Sequence, residues 1–166
     1  MLPSVDVRFR NMMKAMQEVV APAIPADQKL AQEQVRLIVG HLTMLKDQWK
    51  DAVRYEAGSF RMMRELTEAL ASEVDDEQAA GLRAALAQVA DIDIYDIDAL
   101  NAGICAVGAA VDKVILGEEG SKPLPRGAWD VILAYGEKDA LRSRVWFKGN
   151  GIDPDRDKLP PLETVL

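Results

Sequence analysis

A proline-free run over residues 26–73 constrains the fold of this chain more than any other sequence feature. Apolar side chains return along it at alternating steps of three and four, which places them on one side of an α-helix. This seam consists of Leu30, Ile38, Leu42, Leu45, Trp49, Ala52, Phe60, Met63, Leu66 and Leu70. We predict one very long helix, or two nearly collinear ones, whose seam is covered by other helices. If the helix is broken, Gly58 is the expected place, because glycine is about 1 kcal/mol less favourable than alanine inside a helix.

Capping residues and prolines mark further helices on both sides of this run. Ser4 is a suitable N-cap for a first helix, which Pro22 and Pro25 should end because neither can donate a backbone hydrogen bond. The short link predicts that the first helix lies antiparallel to the next one. Two more helices should begin near Asp75 and Asp96, where acidic residues precede apolar positions at helical spacing.

These patterns predict an all-α fold, an antiparallel bundle of four to five helices around the long helix at about residues 26–73. A chain of 166 residues that is 49% hydrophobic is large enough for one core. We assign residues 1–151 to one helical bundle domain. Residues 152–166 contain three prolines and no periodicity, which predicts an irregular, extended C-terminal tail.

Charge and composition limit the partners and the compartment. The formal net charge is -7, the pI is about 4.8 and no basic cluster is present, so we expect no nucleic-acid partner. The first ten residues are charged where a signal peptide is apolar, and no stretch approaches eighteen uncharged apolar residues. Cys105 is the single cysteine, which fits a reducing compartment. We predict a cytoplasmic protein with no membrane partner.

The common motifs for catalysis, metals and cofactors are absent from the sequence. His41 is the single histidine, so zinc sites of cysteine and histidine and the usual di-iron carboxylate site are excluded. The acidic run at residues 91–98 departs from a calcium-binding loop, because Tyr95 and Ala102 stand where ligands are needed. We expect no metal and no cofactor. Whether the chain is an enzyme stays open, with a non-catalytic role favoured.

Four residues are candidates for a pocket inside the bundle. His41 lies beside the seam and is a possible base, although a structural histidine is the simpler interpretation. Glu56 falls on the seam itself, where a carboxylate needs a partner, a cleft or a local rotation into water. Gly103 and Ala106 belong to a smooth side of the fourth helix, which suits either close helix packing or a slot for a thin ligand.

The last helix is the candidate interaction surface. Residues 129–147 concentrate large aromatic side chains, and Trp and Tyr are favoured in the cores of protein interfaces. These candidate interface residues are Trp129, Tyr135, Trp146 and Phe147.

The order of several short segments resembles that of a group of small helical proteins. The segments are Val20-Ala21-Pro22-Ala23, a long helix with Glu56 towards its end, Leu82-Arg83-Ala84-Ala85-Leu86, and Leu100-Asn101-Ala102-Gly103-Ile104-Cys105. Over residues 5–116 the chain is similar to proteins of unassigned function encoded beside acyl-CoA dehydrogenases and aminoglycoside-phosphotransferase-like kinases. The resemblance implies an accessory part in acyl-CoA catabolism and supplies no catalytic residues.

Two functions from different classes follow. The first is a non-catalytic accessory or interaction protein that binds a partner enzyme or forms a homodimer. The second is a small-molecule binding protein or enzyme with a pocket inside the bundle. Scarcity of catalytic residue types favours the first function.

Overall fold

The chain is all-α, as predicted. A computed structural model describes residues 2–117 and 123–166, and it is 76% helical with no strand in these two stretches. The helices are α1 (Val5–Ala15), α2 (Ala21–Ala23), α3 (Lys29–Gln48), α4 (Ala52–Leu70), α5 (Asp76–Gln88), α6 (Ile97–Leu116) and α7 (Arg126–Trp146). Short 3-10 turns follow at Lys148–Asn150, Arg156–Lys158 and Leu162–Thr164.

The predicted long helix is two helices, and the break is not where we expected it. A turn at residues 49–51 separates α3 from α4, whereas Gly58 is buried inside α4. At this turn, the side chains of Trp49 and Lys50 both contact the carboxylate of Asp6 at the start of α1. A contact to a residue this distant in sequence therefore accompanies the break, and helix periodicity carries no sign of it.

The predicted helix starts are confirmed, and one predicted stop is wrong. Ser4, Asp75 and Asp96 each accept hydrogen bonds from backbone N–H groups of the first turn that follows. The first helix, however, passes through Pro22. It does so by a π turn at Met16–Val20, which loosens the hydrogen-bond ladder ahead of the proline, and the helix ends at Ala23, with the extended residue Ile24 before Pro25.

Contacts divide the chain into two compact units. The first unit comprises Met1–Lys50 and Arg144–Leu162, and the second comprises Asp51–Ser143 and Glu163–Leu166. The segment predicted to be an extended tail contains two 3-10 turns, and its residues are shared between the units.

The second unit contains the hydrophobic core. Helix α6 packs against α4 and α5 and contributes fully buried side chains such as Leu100 and Val107. Two clusters of buried residues lie in this unit, one around Leu70 and Leu82 and the other around Phe60 and Leu100. By length and composition alone, α6 could also cross a membrane, and it is the one such helix within the described ranges.

The first unit is a helix pair with little interior. Helix α1 lies antiparallel to α3, because Asp6 meets Trp49 while Met13 approaches Thr43. The prediction that the first two long helices are antiparallel neighbours is thus confirmed. The segment after α7 packs on another side of α3, where Gln48 donates to the Trp146 carbonyl over 2.6 Å. No residue of α1, the π turn or α2 is buried.

A buried arginine organises the second unit. Arg142 of α7 is only 4% exposed, and its guanidinium stacks 4.0 Å from the centroid of the Tyr55 ring. It donates to the Val165 carbonyl over 2.6 Å, to the Ser59 hydroxyl over 2.6 Å and to the Tyr55 carbonyl. Gly58 makes room for it, because a Cβ there would lie 2.5 Å from Nη2. Burial lowers the pKa of Arg142, but arginine remains charged.

The close approach at Gly58 predicts that Gly58→Ala destabilises the protein. Alanine would favour the helix, but its methyl group must displace a guanidinium held by three hydrogen bonds. We expect the free energy of unfolding to fall by about 1 to 3 kcal/mol. Gly136→Ala is the matched control, since nothing lies within 4 Å of its Cβ, and it should stabilise by about 0.5 to 1 kcal/mol. Urea denaturation of both variants checks this, and equal effects would contradict it.

Candidate functional site

The four candidate pocket residues do not gather into one site that the structure describes. His41 lies exposed on α3 in the first unit, whereas Glu56, Gly103 and Ala106 belong to the second. Glu56 is half-buried and its charge favours the protonated form of Arg142. Ala106 is exposed on α6.

Gly103 serves close packing in the described structure. A Cβ at this position would lie 2.5 Å from the Ile92 side chain and 2.9 Å from the Phe60 ring. These two apolar side chains therefore occupy the space that a thin ligand would need beside this glycine. At Gly103, therefore, the smooth side of α6 serves close packing within the same unit, whereas Ala106 on that side is exposed.

Two cavities open elsewhere in the second unit. The larger, of about 540 Å³, is lined by apolar residues such as Leu82 and Val114 and by the polar groups of Asp75, Glu77 and Lys113. The smaller, of about 290 Å³, lies between α4 and α7 and is bordered by Leu66, Val131 and Tyr135, among others. None of the four candidate pocket residues lines either cavity.

The most unusual surface belongs to α3, where the first half of the predicted seam is uncovered. Its apolar residues and their exposed fractions are Leu30 75%, Leu37 48%, Ile38 44%, Leu45 48% and Trp49 39%. At 3.6 residues per turn they share about 120° of the helix surface with Gln34 and His41. We call these seven residues the apolar face of α3. The expectation that other helices cover this part of the seam is wrong within the described chain.

The opposite exposed side of α3 is strongly polar. Lys29, Glu33, Arg36 and Asp47 fall within about 60° of one another, and Arg36 pairs with Glu33 over 3.6 Å. The two remaining sides of the helix are covered by α1 and by the segment after α7. Exposure is therefore divided into one polar and one apolar side, as in an amphipathic helix whose apolar side faces a partner.

Helix α1 continues the apolar face of α3 on its own surface. Val5 is 37% exposed and Met12 is 44% exposed, and both lie on one side of the helix. Viewed along each helix from its N-terminus, this side of α1 and the apolar face of α3 are both rotated in the same direction away from the line of contact between the helices. Because the helices run antiparallel, rotation in the same direction places both on one side of the pair. The first unit thus has a two-helix face that is largely apolar.

The aromatic residues of the last helix are partly exposed. Trp129 is 41% exposed and Phe147 is 50% exposed, whereas Tyr135 and Trp146 are half-buried. Tyr135 packs against the core cluster around Leu70, and burial raises the pKa of its phenol.

A polar junction fixes the end of the two-helix face. The Trp49 indole N–H donates to one Asp6 oxygen over 3.2 Å, and the Lys50 ammonium lies 3.2 Å from the other oxygen. The Lys50 ammonium also lies 5.6 Å from the centroid of the Trp49 ring. The indole hydrogen bond, followed by Lys50, lowers the pKa of Asp6.

Comparisons with known proteins leave the assignment to the chain's own geometry. No family model, curated protein or solved structure matches this chain.

In the described ranges, no three or more histidine, cysteine, aspartate or glutamate side chains are grouped so that they could hold a metal ion. The absence of a bound metal stays a prediction.

The lowered pKa of Asp6 predicts an acid-dependent loss of stability. Its contribution is fully present above the unfolded-state pKa of about 3.9, and it is lost as pH falls through the lower folded-state pKa. Asp6→Asn should therefore lower stability at pH of about 5 and reduce the further loss towards pH of about 3. Urea denaturation at both pH values measures this. Asp157→Asn is the control, because that side chain is 95% exposed. Between the two pH values this variant should lose as much stability as wild type does.

Proposed function

We propose that this protein is a non-catalytic interaction protein that docks a helical surface onto another protein chain. The observation that supports this most is the apolar face of α3, where five large apolar side chains are each more than one-third exposed. Contiguous exposed apolar surface is characteristic of interaction sites, whereas single exposed apolar residues are ordinary. The resemblance noted above supports an accessory part in acyl-CoA catabolism, and the charged first ten residues and the single cysteine support a cytoplasmic location. The bound chain is then a partner enzyme or a second copy.

The distribution of buried residues supports the same proposal. The second unit has two apolar clusters, whereas the buried apolar residues of the first unit are Val35, Met44, Val145 and Leu159 among those described. Helices in proteins are stabilised mainly by packing of their apolar sides. A partner that covers α3 would supply packing that the first unit lacks.

Trp129 on α7 and Phe147, the residue after that helix, are further exposed aromatic side chains. Aromatic side chains dominate the energetics of many interfaces, because each removes a large area from water at little conformational cost. We therefore retain Trp129 as a candidate contact in addition to the apolar face of α3.

A further observation favours a second candidate function. The cavity of about 540 Å³ has the size of a small-ligand site and combines an apolar wall with a few polar groups. Asp75 and Glu77 at its edge would repel anions and favour a neutral or cationic molecule. Gly81 lines this cavity with open space at its Cβ, so Gly81→Trp should fill the site and abolish binding of any such ligand.

Truncation of exposed residues distinguishes an interface from a covered core. If the apolar face of α3 contacts another protein, Leu45→Ala should weaken association by about 1 to 4 kcal/mol while stability changes by less than about 0.5 kcal/mol. Trp129→Ala tests the last helix in the same way. Sedimentation of labelled protein in extract of the host cell measures association, and urea denaturation measures stability.

The opposite pattern would reject the proposal. If both side chains close an intramolecular core, each truncation should cost about 2 to 5 kcal/mol of unfolding free energy and leave sedimentation unchanged. Arg36→Ala, on the polar side of α3, is the control for nonspecific effects on the helix surface, and it should alter neither measurement by a comparable amount.

A further inference from the structure

We infer that the partner of the two-helix face is a second copy of this chain, and that two first units join as a four-helix bundle. This inference rests on the proposed function and names its partner. Its structural basis is the pairing of α1 and α3, each of which exposes apolar residues on the same side of the pair.

Geometry favours a second helix pair as the occupant. Two antiparallel helices present a shallow apolar surface between two ridges, and a second pair of the same kind is the surface that fits it. The arrangement is self-complementary, so a two-fold axis closes it and leaves neither apolar face exposed. A single helix would cover only one of the two apolar stripes.

The available area is sufficient for a stable dimer. Helix α3 has 20 residues and is therefore about 30 Å long, and the pair is about 20 Å wide. The face then measures about 600 Å² in each copy and about 1,200 Å² in total, above the roughly 1,000 Å² that a specific interface needs.

Charge also permits contact between two copies of the apolar face of α3, and Arg8 is the charged residue within about 60° of Val5 and Met12 on α1. The apolar face of α3 contains only Leu, Ile, Trp, Gln and a single histidine, His41, so no two carboxylates or ammonium groups oppose each other across a two-fold axis there. Lys29, Glu33, Arg36 and Asp47 lie on the opposite side of α3, where they remain in water after association, and Lys46 lies outside the apolar face. Gln34 and His41 can form hydrogen bonds within the interface and thereby fix the register of the two copies.

Sedimentation equilibrium of the purified chain tests this inference. Between about 1 and 100 µM we expect a species of twice the 18.2 kDa chain mass. Leu37→Glu introduces a charge within the apolar face, about halfway along α3, and should weaken self-association by about 100-fold or more. Arg36→Gln changes the net charge by the same amount on the polar side, and its dimer should remain within about threefold of wild type.

A second variant distinguishes loss of association from loss of folding. Leu30 is 75% exposed, so Leu30→Glu should leave the monomer folded and still weaken the dimer by about 10-fold or more. Circular dichroism below the dissociation constant verifies that both glutamate variants remain helical. If wild type forms a dimer that both variants keep intact, the two-helix face is not the interface, and the inference is overturned.

The test separates this inference from the proposed function. A chain that stays monomeric at about 100 µM, but whose association in host extract is lost in Leu37→Glu, would overturn the second copy as partner and leave the interaction role standing. Unchanged sedimentation of Leu37→Glu in extract, together with a large loss of stability, would reject both. A reversible dimer that Leu37→Glu and Leu30→Glu disrupt, and Arg36→Gln does not, supports both.

Discussion

Two packed helices cannot enclose an interior, and this constraint governs the behaviour of the first unit. Each helix of a pair can bury one stripe against the other, and any apolar residue outside that stripe remains in water. Helix α3 has apolar residues well beyond the stripe that meets α1, such as Leu30, Leu37 and Leu45. The excess of apolar surface over available cover is the physical origin of the interaction role proposed for the chain.

In the first unit apolar side chains remain in water, whereas in the second unit a charged side chain is buried in an otherwise apolar setting. The Arg142 guanidinium is removed from water, and three oxygen acceptors and the face of Tyr55 compensate for its lost hydration. These partners come from α4 and from the last residues of the described chain. Specific hydrogen bonds of this kind select one arrangement of helices, whereas apolar contacts alone tolerate several.

The sequence predicted those features that depend on neighbours along the chain. Helix class follows from apolar spacing, and the caps at Ser4, Asp75 and Asp96 follow from hydrogen bonds to residues two or three positions away. The break at residues 49–51 was missed because it accompanies a contact with Asp6, far away in sequence. Such a contact has no local signature.

The candidate site was predictable only in part, for the same reason. Periodicity identifies an apolar side of a helix but does not say whether another element of the same chain covers it, so Ile38 and Leu45 were expected to be covered. Arg142 left one signal that could have been used. A glycine inside a strong helical run, as at Gly58, indicates that another group approaches the backbone closely.

The π turn at Met16–Val20 accommodates one residue more than an α-helix of the same length. Removal of a single residue there would restore regular winding and leave everything downstream in that helix facing almost as before, because the turn holds its extra residue within nearly the same rotation. The same deletion in the regular part of α1 would rotate the side chains that follow by about 100°. The π turn is therefore the place in this helix where the chain can gain or lose one residue without redirecting the side chains that follow.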